Sequence, residues 1–183
     1  MKLSLLLLTV FLCACSENHT PKPRGLFKVD LPAKNYKRIN VDCDFSFEKP
    51  SYSILRNLDE NCFYNLHFTD QNAVLHITYL HLQDNLSEHI EQSRSFAYKH
   101  DVIADAISET VYVNHESKVY SLLYDYAGVT ATSTQFYITD STSHFFRGAL
   151  YFNNEVTDSL LPINNFLKDD VKHIIETFRW EKR

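Results

Sequence analysis

The sequence predicts an α+β domain in which a largely antiparallel sheet is packed by helices. Three observations carry that expectation. Short runs of alternating apolar residues follow one another through tight polar turns; one amphipathic stretch interrupts them; a second, strongly periodic one comes after the last of them. Runs joined by tight turns must pair antiparallel, because a parallel crossover needs a dozen or more residues. An up-and-down barrel is the alternative, and two substantial helices count against it.

The first strand-like runs are Phe45 to Phe47, Ser51 to Leu55, Cys62 to Phe68 and Val74 to Leu82. The third and fourth read as a hairpin around the turn residues 69–73, with Cys62, Tyr64, Leu66 and Phe68 on one apolar face. Asn85, followed by Glu88, has the spacing of a capping box and opens a helix to about His100, with the stripe Leu86, Ile90, Phe96 and Ala97. Four further strands are expected at Glu109 to Val113, Lys118 to Tyr126, Ser133 to Thr139 and His144 to Phe152. The final helix has the clearest signal. From a Ser159 cap, with Pro162 in the first turn, Ile163, Leu167, Val171, Ile174 and Phe178 recur at helical spacing. Lys168, Asp169, Lys172 and Glu176 between them are expected in solvent.

The N-terminal end reads as an address. Lys2 leads into an apolar run from Leu3 to Leu12, which closes on Cys13-Ala14-Cys15. This is the pattern of a lipoprotein signal peptide over residues 1–14, cleaved before Cys15, whose thiol accepts the lipid. The run is shorter than the ~20 apolar residues of a membrane-spanning helix. Palmitate-type acyl chains on Cys15 would then hold the protein to the membrane. A plain secreted protein is the alternative. Residues 15–25 form the lipidated terminus and a polar, proline-bearing tether, reaching roughly 30 Å from Ser16 to Arg24. Residues 26–183 read as a single globular domain.

Composition supports that division. Thirteen phenylalanines and 11 tyrosines supply a packed core, and the net charge of −5 comes without a basic patch. The cluster Lys22 to Arg24 is brief and broken by proline, so no nucleic-acid partner is expected. With Cys13 removed and Cys15 acylated, Cys43 and Cys62 remain and are expected to form one disulfide, restraining the unfolded chain by about 3 kcal/mol. Two buried thiols are the alternative, and zinc on these two alone lacks the paired spacing of a structural site.

Nine histidines raise the question of metal. Pairing 68 with 75 across the hairpin would set His67 opposite His76, but Asn65 and Thr69 share the face of His67, which reads as a solvated polar surface. His81 falls on the other face of its strand from His76. No metal and no cofactor is expected. A hydrolase would draw on Asp140, Ser141 and His144, with Ser133 as a further hydroxyl; yet there is no G-x-S-x-G elbow, and residues 140–143 have the composition of a turn. Gly25, Gly128 and Gly148 are too far apart for a phosphate cradle. No catalytic residue and no small-molecule substrate is expected, so the chain reads as a non-enzyme. Tyr120, Leu122, Tyr124 and Tyr126 alternate on one strand face and read as core. Arg147 and Trp180 are the candidate partner-binding residues, since Arg and Trp dominate protein interfaces.

Four blocks carry a resemblance. They are Thr20 to Pro32 (TPKPRGLFKVDLP), Arg94 to Ile107 (RSFAYKHDVIADAI), Gln135 to Phe152 (QFYITDSTSHFFRGALYF) and Phe166 to Trp180 (FLKDDVKHIIETFRW). Together they resemble the gliding-motility lipoprotein GldD family of Bacteroidota over essentially the whole mature chain. Leu26 departs conservatively from the aromatic residue expected there. The resemblance implies an outer-membrane lipoprotein required for gliding, acting with other Gld lipoproteins and the type IX secretion machinery, and it brings no catalytic residue or cofactor. It also implies a structural role. The element order is similar to that of the Mog1/PsbP-type α/β/α sandwich, an analogy that bears on fold alone. Export to the cell surface in this phylum goes with acidic residues after the lipidated cysteine; Ser16-Glu17-Asn18 offers one, which points to the periplasmic face. A peptide- or small-molecule-binding lipoprotein, with a polar pocket near Asp140 and His144, is the competing reading.

Overall fold

Two antiparallel meanders share one seven-stranded sheet. The computed structural model describes residues 29–39, 41–58, 61–99, 104–128, 130, 132–154 and 158–181; the signal segment, Cys15 and the tether to Gly25 lie outside them. Strands β4 (Ile54–Asn57), β5 (Tyr64–Phe68) and β6 (Ala73–His81) form the first meander. Strands β7 (Ala106–Asn114), β8 (Val119–Ala127), β9 (Thr132–Thr139) and β10 (His144–Phe152) form the second. Helix α1 (Leu86–Tyr98) carries the chain from β6 to the far edge, so the second meander returns inward and β10 closes against β6. The sheet order is β4-β5-β6-β10-β9-β8-β7, antiparallel throughout. The α+β architecture expected from the sequence is therefore present.

Alternation splits the sheet into two unlike faces. One face carries Leu66, Leu75, Ile77, Phe136, Ile138, Phe146 and Leu150, all essentially sealed from solvent. Helix α2 (Leu161–Thr177) covers it with Leu167, Val171, Ile174 and Ile175, the stripe its periodicity predicts. Phe45, Phe47 and Phe178 fill the remaining space, with Phe45 and Phe178 each packed against Phe146. Each buried ring or branched side chain contributes about 1.5–3 kcal/mol through the area it removes from water. Gly148 is required here: a Cβ at that position would lie 2.3 Å from a ring carbon of Phe136.

Short strand pairs flank α2 on this same face. Strand β1 (Tyr36–Arg38) pairs with β3 (Glu48–Pro50), and β2 (Phe45–Ser46) pairs with β11 (Arg179–Trp180). A polar pin joins them to the helix. Asp170 is fully buried, and its carboxylate accepts from Lys34 Nζ at 2.6 Å, from the Tyr36 hydroxyl at 2.9 Å and from the Tyr52 hydroxyl. Burial, reinforced by that carboxylate, pushes both phenols far above their ordinary range, so they remain donors. The Cys43–Cys62 disulfide is formed, with Cα atoms 6.1 Å apart.

The opposite face is thinner. Helix α1 lies over β8 to β10 with Ala97 against Tyr124 and Tyr126, and its small residues Ser93 and Ala97 allow the close approach. The tyrosine stripe is thus core only in part: Tyr124 and Tyr126 are buried, whereas Tyr120 and Leu122 are half-buried beyond the helix. On the edge strand β7, Val111 and Val113 are 67% and 53% exposed.

Several local expectations are corrected. The β5–β6 hairpin pairs Phe68 with Ala73, because a 3-10 turn over Thr69–Gln71 and the left-handed Asn72 close it two residues tighter than expected. His67 therefore faces Val74, and His76 faces Asn65, with Nδ1 and Oδ1 2.8 Å apart. Asn85 stands at the α1 cap position, but its Oδ1 accepts from the Gln83 N–H instead of from the helix. Ser159 lies within a 3-10 turn, leaving Leu160 at the α2 cap. Lys168 is drawn inward to pair with Asp125 and donate to the Tyr126 carbonyl, so it is not a solvent-facing residue. Ser51 and Tyr52 fall in a turn after Pro50, and β4 begins only at Ile54.

Candidate functional site

The densest polar constellation lies where β6 ends and β10 begins. His81 and His144 are register partners across these strands, and their side chains project to the face that α2 covers, beyond its edge. Their ring centroids are 5.4 Å apart. Tyr79, two residues before His81 and therefore on the same face, is buried with its hydroxyl at the centre of the group. It lies 2.7 Å from His144 Nδ1, 3.2 Å from Asp44 Oδ2 and 3.4 Å from His81 Nε2. Burial first, and then the charge of Asp44, push this phenol far above its ordinary value, so it stays protonated and donates.

Asp44 reaches the site from a different part of the chain. It follows Cys43, whose bridge to Cys62 fastens the segment beside β5, and its carbonyl accepts from the Glu181 N–H at 2.9 Å. Its carboxylate stands 3.3 Å from His81 Nε2. Trp180 closes the other side: the indole stacks on His144 with centroids 5.0 Å apart, packs edge-on against Phe178 at 4.7 Å and donates from Nε1 to the Lys118 carbonyl. Trp180 is thus both a lid on the core and a wall of an open cleft of about 440 Å³, lined also by Glu116, Asp140, His144 and Glu181.

Asp140 lines the cleft but is already engaged. Its Oδ1 accepts the backbone N–H groups of Thr142, Ser143 and His144 at 2.8–3.0 Å. Burial raises its pKa, but these bonds and the Thr142 hydroxyl outweigh that and hold the carboxyl below its usual range. Asp140 organises a turn. Ser141 occupies a left-handed position at φ 72°, and among the described residues no hydrogen bond joins it to His144. Ser133 is buried elsewhere, donating to Asn164 on α2. The residues of the hydrolase reading are not assembled.

Arg147 and Trp180 are likewise separated. Arg147 projects from the opposite face of β10, where it lies 5.0 Å from the Phe96 ring of α1 and donates to Gln135 Oε1 at 2.6 Å. Among the described residues no carboxylate pairs with it, and the buried Gln135 Nε2 beside it lacks a partner. The two candidate partner-binding residues therefore do not belong to one surface.

The sequence matches the family model of the gliding motility lipoprotein GldD over residues 16–180. The chain belongs to the GldD family. A role in gliding motility as a lipoprotein follows from membership, and the match includes Asp44, His81, Asp140, His144 and Trp180. No curated protein matches the sequence. Among the described residues no helix is long and apolar enough to cross a membrane.

What sequence reading missed is the meeting of Asp44 with His81 and His144. His81 on β6 and His144 on β10 each stand at a strand end, far apart in sequence. The available signal was the disulfide, which draws residue 44 toward β5 and its neighbour.

Proposed function

We propose that this protein is a non-enzymatic lipoprotein of the outer membrane, held on the periplasmic face by acyl chains on Cys15, that acts in gliding by docking other Gld lipoproteins and components of the type IX secretion machinery. The family match over residues 16–180 carries this reading. Docking uses the end of the domain at Trp180, where an aromatic side chain is half-exposed beside an open cleft. Arg147 contributes from beneath α1, by holding Phe96 in place.

The test is made in cells that glide. Cys15→Ala should move the protein from the membrane fraction and abolish colony spreading, and Trp180→Ala should remove crosslinks to the motility components while the membrane anchor persists. Spreading and crosslinks unchanged in Trp180→Ala would reject this end as the docking surface. Membrane retention of Cys15→Ala would reject the anchor.

A second reading is favoured by the cleft itself. Its wall of Asp140, His144, Glu116 and Trp180 is concave and sets a few polar groups beside apolar surface, as a ligand site does. Among the described residues of the cleft, no nucleophile is joined to a base as hydrolytic chemistry needs.

A further inference from the structure

We propose that Asp44, His81 and His144 form a binding site for a divalent transition metal ion, with Zn²⁺ as the ion their chemistry favours. One ligand atom from each residue lies within 4.8 Å of those of the other two. Tetrahedral bonds of about 2.1 Å place neighbouring ligand atoms about 3.4 Å apart. The Asp44–His81 edge already measures 3.3 Å. The two remaining edges meet at His144: a rotation of His81, whose side chain is 64% exposed, shortens one, and a turn of the Asp44 carboxylate shortens the other.

The donor set selects the class of ion. Two imidazoles and one carboxylate suit Zn²⁺ and its first-row neighbours, whereas Mg²⁺ and Ca²⁺ require an oxygen shell. Histidines 67 and 76, the pair considered from the sequence, are kept from this role by the hairpin register, which sets His76 against Asn65.

Three features separate this cluster from a chance grouping of surface residues. Each ligand comes from a different segment of the chain, and two are fastened independently: Asp44 by the adjoining disulfide and the Glu181 bond, His144 by Asp140 at its N–H and by Trp180 across its ring. Tyr79 sets its hydroxyl at the centre of the three, 2.7 Å from His144 Nδ1, 3.2 Å from Asp44 Oδ2 and 3.4 Å from His81 Nε2, so one buried group already gathers a side-chain atom of each ligand to a single point. Finally, His144 and Trp180 line the cleft described above, and Tyr79 and His81 line a second hollow beside it. Three protein ligands with open space before them leave a coordination position for water or for an incoming carboxylate or imidazole.

The experiment uses the full-length mature lipoprotein in detergent, stripped with chelator and titrated with ZnCl₂ by calorimetry, with bound metal counted after gel filtration. Wild type should take up one Zn²⁺ per chain, with MgCl₂ giving no uptake, and X-ray absorption should show nitrogen and oxygen ligands without sulfur. His81→Ala should weaken binding at least about tenfold. Because this side chain is mostly exposed, the metal-free variant should melt with metal-free wild type, so the loss reports on the site. His76→Asn should bind as wild type. Absence of saturable uptake by wild type overturns the proposal, and so does stoichiometric binding that survives His81→Ala.

Discussion

The two faces of the sheet are built on different principles although they share every strand. On the α2 face, aromatic and branched side chains interlock from the sheet, the helix and the N-terminal segment, and the buried carboxylate of Asp170 is met by an ammonium and two hydroxyls. On the α1 face a shorter helix leans on small residues, an arginine stands between sheet and helix, and the valines of β7 lie open. A close-packed layer resists substitution because neighbours cannot collapse into a vacancy. A thin layer tolerates it. The α2 face thus holds the domain together, and the other can vary without unfolding it.

The two faces should respond differently to mutation. The largest effect is expected at Phe146, which touches Phe45, Phe47, Phe136 and Phe178. Phe146→Ala should cost about 4 kcal/mol, measured by urea unfolding at unchanged m-value. Next comes Asp170→Ala, which strands the Lys34 ammonium and two phenolic hydroxyls and should cost about 3 kcal/mol by the same measurement. A loss below about 1 kcal/mol would mean that the N-terminal strands are not pinned by this group. Smallest is Val111→Thr on the open edge strand, expected within about 0.5 kcal/mol of wild type. A loss comparable with that of Asp170→Ala would erase the distinction between the faces.

Much of this division was legible in the sequence. The β10 bounds and the α2 stripe follow directly from periods of two and 3.6, which long buried elements obey over many residues. Short-range detail was less so. Asn85 and Ser159 have cap chemistry, but a side-chain oxygen bonds whichever N–H the turn presents, and for Asn85 that was Gln83. The hairpin register depended on the left-handed Asn72, a single dihedral that alternation does not encode. The cleft was the least legible part. His81 and His144 meet because α1 carries the chain across the sheet and β10 returns beside β6, and Asp44 joins them through a bridge on the adjacent residue. Such meetings belong to topology, and no local pattern announces them.

The pairing of β2 with β11 sets an order in time. Phe45 and Ser46 find their strand partner only in Arg179 and Trp180, and the sealed face finds its cover only in the helix just before them. Until residues 161–180 are available, the apolar face of the sheet lacks its helix, and the β2–β11 pairs that close beside it lie 133 and 135 positions apart. Non-local closure of this kind is slow and comes late. A polypeptide organised in this way becomes rigid only once its last helix has packed against its first strands.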